Sequence, residues 1–185
     1  MSFHTGIPSI DGSGIPLGST IALVSTPACE SLLYEFCRMH RTYYFTTERS
    51  PEFVREDMER LRVWHSEITF VNVHDKYYGY TAEDRDRMIV RHVEETLEKI
   101  GDEEVLIIID TVSFFLALNV DFFRLRRMLS ILYRFIRETR SLAVLHLLEG
   151  AQDETIARRV LNLCDVVIEC DEQSIRVSKT RYRRE

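Results

Sequence analysis

A chain of 185 residues, 45% hydrophobic and 29% charged, is long enough to bury a full core and falls in the range of one globular domain, expected here over residues 1–185. With 30 acidic against 24 basic residues its formal charge is -6, which argues against broad attraction to nucleic acid or anionic lipid. No stretch approaches the roughly 18 consecutive apolar residues of a membrane span, and Met1 to Ile10 lacks a charged segment followed by an apolar one, so a cytoplasmic protein without a membrane partner is expected.

Thr20 to Val24 is an apolar, β-branched run that enters a Ser-Thr-Pro turn, and Glu30 to His40 then places Leu32, Leu33, Phe36 and Cys37 at helical spacing. A second strand is expected over Tyr43 to Thr46. Ser50-Pro51 has the form of a helix start, with serine as cap and proline in the first turn, leading through Phe53, Met58 and Leu61. Ile68 to Val73 is a third strand. After a loop rich in tyrosine (Tyr77, Tyr78, Tyr80), Thr81 to Ile100 is helical, with Thr81 and Asp84 at capping-box spacing and Gly101 as the stop.

Val105 to Asp110 is a continuous apolar run ending in a carboxylate, the pattern of a central parallel strand covered on both faces. Asp121 to Arg140 carries Phe122, Leu125, Met128, Leu129, Leu132, Phe135 and Ile136 on one helical face, with arginines on the solvated side. Leu142 to Leu148 (strand), Asp153 to Leu163 (helix), Val166 to Glu169 and Ile175 to Ser178 (strands) complete the chain. Strands alternating with helices, then closing in a β-hairpin, predict an α/β fold: a doubly wound, mainly parallel sheet flanked by helices. Ligands in such sheets bind beyond the carboxyl ends of the strands, which draws attention to 25–31, Thr47-Glu48 and Asp110.

Cys29, Cys37, Cys164 and Cys170 contain no C-x-x-C pair and are expected as free thiols in a reducing compartment. Cys29, close to a helix N-terminus, is a candidate nucleophile. His65, His74, His92 and His146 show no metal-ligand spacing, and His146 suits either a ligand contact or a hydrogen-bonded core position.

Thr5-Gly6-Ile7-Pro8-Ser9-Ile10-Asp11 followed by Gly14-Ile15-Pro16-Leu17-Gly18-Ser19 resembles the opening of RecA/KaiC-like ATPases, including archaeal RecA-like members. The resemblance continues through Tyr44-Phe45-Thr46-Thr47-Glu48, Ser50-Pro51-Glu52 and a Walker B-like Ile109-Asp110-Thr111, to Cys164-Asp165-Val166-Val167-Ile168-Glu169 and Arg176-Val177-Ser178-Lys179-Thr180-Arg181. It implies a RecA-like P-loop NTPase core. It also implies a nucleotide cradle at Thr26, Cys29 and Ser31, a magnesium role for Asp110 beside its plainer role as a turn cap, and a water-activating base at Glu48. In KaiC-like assemblies the K-x-R matching Lys179 and Arg181 reaches the neighbouring subunit's nucleotide; a basic tail is the plainer account of it.

The phosphate loop departs from the family pattern. An intact loop has the form G-x-x-x-x-G-K-[ST], in which amides wrap the phosphates, lysine reaches the outer ones and the hydroxyl holds magnesium. Here Ser25-Thr26-Pro27-Ala28-Cys29-Glu30-Ser31 lacks both glycines and the lysine. Either Glu30 stands at the lysine position with Ser31 as the hydroxyl, or Ser31 itself replaces lysine. Arg49 also replaces the second of the family's paired glutamates. The expectation is a non-catalytic domain with a binding, scaffolding or regulatory role, without a bound cofactor. Its partner would be a second copy or an active KaiC-like paralogue whose site Lys179 and Arg181 complete. The alternatives are an ATPase that holds ATP and magnesium through a divergent loop, and a nucleic-acid-binding RecA-like protein.

Overall fold

The computed structural model describes residues 5, 7–12, 14–38, 40–73, 75, 82–117 and 122–180. Arg181, His74, Thr81, Asp121 and the tyrosines at 77, 78 and 80 lie outside the described residues. Seven strands form one sheet: β1 (Thr20–Ser25), β2 (Thr42–Thr46), β3 (Ile68–Asn72), β4 (Leu106–Asp110), β5 (Leu142–Leu148), β6 (Val166–Cys170) and β7 (Ile175–Thr180). Their order is β3-β2-β4-β5-β1-β6-β7. Every pairing is parallel except β6 with β7, an antiparallel hairpin with a register shift at Val167/Ile168.

Alternation along the strands divides the core into two layers. Ala22, Phe45, Ile107, Ile109, Ala143, Leu145 and Leu147 face one side, where they pack against α4 (Ala82–Ile100), α5 (Val112–Ala117), α6 (Phe122–Thr139) and α7 (Glu154–Leu163). Ile21, Leu23, Tyr44, Leu106, Ile108, Leu142 and Val144 face the other, under α1 (Pro8–Asp11), α2 (Ser31–Cys37) and α3 (Pro51–Arg60). One period of two further along, Ser25, Asp110 and His146 fall on the α1–α3 side, so three polar side chains converge where the strands end.

Two short helices have no periodic signature in the sequence. In α1 proline supplies the first turn, and Asp11 Oδ1 accepts from the Thr5 N–H and hydroxyl at 2.6 and 2.8 Å. α5 is an almost wholly apolar run, and its Phe115 is fully buried. The helix expected over Glu30–His40 is shorter. Pro27–Cys29 forms a single 3-10 turn, because proline fixes φ at its first position, and α2 starts only at Ser31. Asp153, expected inside a helix, stands outside α7 as its cap, accepting from Thr155 N and Ile156 N at 2.8 and 3.2 Å. No helix among the described residues is long and apolar enough to cross a membrane.

The central strand is the most sensitive element. Ile108 is fully buried between β2 and β5, so Ile108→Ala is expected to lower unfolding free energy by about 2–5 kcal/mol in a urea titration, with the slope of the transition unchanged.

Candidate functional site

The turn after β1 sits where the family resemblance places a phosphate cradle, and three of its backbone donors are engaged within the protein. Thr26 N–H donates to Cys170 O at 3.2 Å, Cys29 N–H to Thr26 O at 3.0 Å and Glu30 N–H to Pro27 O at 3.4 Å. Pro27 has no N–H at all. The hydroxyl of Thr26 is buried without a protein partner, while Ser31 opens α2. Cys29 is buried against the end of β6.

Facing this turn, Arg49 follows β2 by three residues and reaches three carboxylates. Its guanidinium lies 3.2 Å from Glu30 Oε2, 3.5 Å from Asp57 Oδ2 and 3.2 Å from Asp110 Oδ2, with the Tyr34 ring centroid 5.9 Å from its central carbon. The side chain is 29% exposed against 5% for Asp110. Arg49 therefore bridges the start of α2, the body of α3 and the end of β4.

Asp110 is saturated. Tyr44 donates its hydroxyl to Oδ2 at 2.7 Å and Arg49 shares the same oxygen, while His146 Nδ1 stands 2.8 Å from Oδ1. A carboxylate only accepts, which puts a proton on Nδ1 of His146; the Ser25 hydroxyl, 2.8 Å from Nε2, donates to it when the ring is neutral. Burial pushes the Asp110 carboxyl up, but the hydrogen bonds from His146 and Tyr44 and the charge of Arg49 outweigh it and hold Asp110 below its ordinary value. Burial holds the Tyr44 phenol well above its ordinary value, so it remains a donor. Thr47 fastens the strand ends together, its N–H donating to Asp110 O at 2.9 Å and its hydroxyl accepting from Thr111 N–H at 2.5 Å.

Glu48 stands at the exposed rim, with desolvation and the nearby charges of Asp110 and Glu30 raising its carboxyl. Lys179 lies away from this cluster: its ammonium donates to Leu161 O at 2.8 Å, Cys164 O at 2.9 Å and Asn162 O at 3.4 Å, neutralising the C-terminal carbonyls of α7. The fold thus joins Thr26, Cys29, Ser31, Glu48 and Asp110 at one end of the sheet and sets Lys179 on the hairpin. Arg49, Tyr44 and the linking position of His146 were not identified from sequence as site residues, and Ser25 was marked only as part of the loop. The signal for Arg49 was a charge exchange, a cation gained after β2 where the loop had lost one.

A magnesium triphosphate does not fit this donor set. Both Asp110 oxygens are engaged, the amides of Thr26, Cys29 and Glu30 are tied to carbonyls, and the Arg49 cation is shared among three carboxylates, Glu30 among them. Among the described residues no cluster of three or more His, Cys, Asp or Glu could hold a metal ion.

The fold is that of the RecA/KaiC-like proteins. FlaH, a flagellar accessory protein from Methanocaldococcus jannaschii, superposes with a TM-score of 0.62 at 14% identity, covering 91% of this chain and 81% of its own. The RadB recombinase gives 0.67 at 16% identity (98% and 91% covered), and a KaiC-like protein from Pyrococcus horikoshii 0.61 at 17% (100% and 90%). At these identities the likeness is one of fold. Residues 2–182 match the model of DUF7125, a family of unknown function, and the chain belongs to that family. No curated protein matches the sequence.

Replacing Arg49 by methionine leaves Asp110 without its cation; we expect a loss of about 1–3 kcal/mol in thermal or urea unfolding, and a smaller further loss when Asp110→Asn is added, because the two side chains share one interaction. For pH the sign follows from Asp110. Its folded pKa lies below the unfolded value of about 3.9, so its stabilisation is complete above about pH 4 and is lost as pH falls through the folded value. Asp110→Asn should flatten that part of the acid unfolding curve. Lys179→Met should cost about 1 kcal/mol, read from the same titrations.

Proposed function

We propose that this chain is a non-hydrolysing RecA/KaiC-like domain that serves as a binding, scaffolding or regulatory subunit. The observation that carries the reading is the Arg49 bridge: the cation that would face a γ-phosphate is instead held between Glu30 and Asp110 within the protein. Family chemistry needs a lysine in the loop, a metal-orienting carboxylate and a carboxylate base acting on a held triphosphate. Here the carboxylates at 48 and 110 stand beside a turn that offers them no substrate.

A partner of the domain is then a second copy of this chain or a KaiC-like paralogue with an intact loop. Loss of the loop with retention of the sheet and hairpin supports this, since contact surfaces do not require nucleotide chemistry.

Purified protein in millimolar Mg-ATP should release no phosphate above buffer, and its melting temperature should move by less than about a degree, because stabilisation follows RT ln(1 + [L]/Kd). Turnover abolished by Asp110→Asn and Glu48→Gln would overturn the proposal in favour of an ATPase. A shift of several degrees without turnover would make the domain a nucleotide sensor.

A further inference from the structure

The turn after β1 and the end of β6 bring two thiols together at the same edge of the site. Ser25 stands opposite Cys170 in the β1–β6 register, and Thr26 N–H donates to Cys170 O. Cys29 lies one turn further on, with its own N–H bonded to Thr26 O, so it folds back over the β6 end. The Cys170 thiol interacts with that of Cys29, and both line one open groove of about 680 Å³ between α2 and the β6–β7 turn. The other two cysteines differ. Cys37 and Cys164 are wholly buried, their thiols directed at Leu33 O and Val160 O, whereas Cys29 and Cys170 keep 8% and 6% exposure and line the groove, with the Cys170 thiol near Asp171 O at 3.8 Å.

We propose that Cys29 and Cys170 form a redox-sensitive pair that closes to an intramolecular disulfide when the protein meets a small-molecule disulfide oxidant. Cys29, as thiolate, attacks one sulfur of the oxidant, breaking its S–S bond and releasing one thiol that takes up the proton. Cys170 then gives its proton to solvent base and attacks the Cys29 sulfur, expelling the second thiol. Two protein thiols are oxidised by two electrons, and one oxidant disulfide is reduced to two thiols. Burial, together with the neighbouring Cys29 thiol, pushes the Cys170 thiol up to about 12, which suits Cys170 to the second, intramolecular step. The bridge ties the turn after β1 to the strand beside it and narrows the groove at the cradle position. It does not depend on the proposed function.

Native protein would be incubated with oxidised glutathione, quenched with iodoacetamide in denaturant, and its thiols counted by intact mass. Two of the four cysteines are expected to escape alkylation, with a non-reduced peptide map joining Cys29 to Cys170 and leaving Cys37 and Cys164 alkylated. Cys29→Ser and Cys170→Ser should each abolish the bridge, and Cys37→Ser should retain it. The melting temperature should rise by roughly 5–10 °C and return on reduction, since the bridge closes a long loop in the unfolded chain. Four alkylated cysteines, a stable glutathione adduct on Cys29, a bridge to Cys37, a link between chains or a fall in melting temperature would each overturn the pairing. The wild-type map needs no variant, so a serine variant that fails to fold leaves the test intact.

Discussion

A carboxylate buried at the end of an apolar strand constrains this whole end of the molecule. Asp110 is 5% exposed, and removing such a charge from water costs several kcal/mol before any partner is counted. One attraction at about 4 Å and an effective dielectric near 20 returns roughly 4 kcal/mol, so a single cation offsets the cost only narrowly. The site therefore supplies several donors: Arg49, Tyr44 and His146 surround one carboxyl. Each is held in place elsewhere, Arg49 by Glu30 and Asp57, His146 by Ser25.

The same arrangement accounts for Glu30. A carboxylate at the start of α2 would be unfavourable beside a triphosphate, but opposite Arg49 it becomes one corner of a neutralising bridge. Two departures from the family pattern, one in the loop and one after β2, are thus one physical exchange. The protein cation that a phosphate loop offers to its ligand is satisfied by the protein's own acids. An arginine with several donors in a fixed fork suits this task better than lysine, because it can serve Glu30 and Asp110 through different nitrogens at once.

How far the sequence foretold this depended on whether the signal was local. The runs at 20–24 and 105–110 announced themselves through β-branched apolar residues, that at 142–148 through its leucines, and the hairpin through two short strands around Asp171. The amphipathic stripe of α6 was equally plain. Short α1 and α5 had no period to detect, since one or two turns cannot show one. The Arg49 bridge links residues 30, 49, 57 and 110, and nothing in the spacing of these positions tells that they meet; only the crossover order of the sheet brings them together. Lys179 is similar. Nothing in its K-x-R context tells that in the folded chain its ammonium closes the end of α7, a contact set by how β7 lies beside that helix.

Bond lengths alone would make Ser25, His146 and Asp110 resemble a nucleophilic relay, with 2.8 Å between serine and ring and 2.8 Å between ring and carboxylate. A nucleophile must also reach a substrate and have donors waiting for the oxyanion. Ser25 and His146 are both fully buried, and the amides next to Ser25, those of Thr26, Cys29 and Glu30, are spent on carbonyls. A hydroxyl enclosed in the sheet cannot attack anything outside it. What the chain of bonds does is fix the ring of His146 so that its Nδ1 proton points at Asp110, making Ser25 a structural support for the carboxylate on which the Arg49 bridge is built.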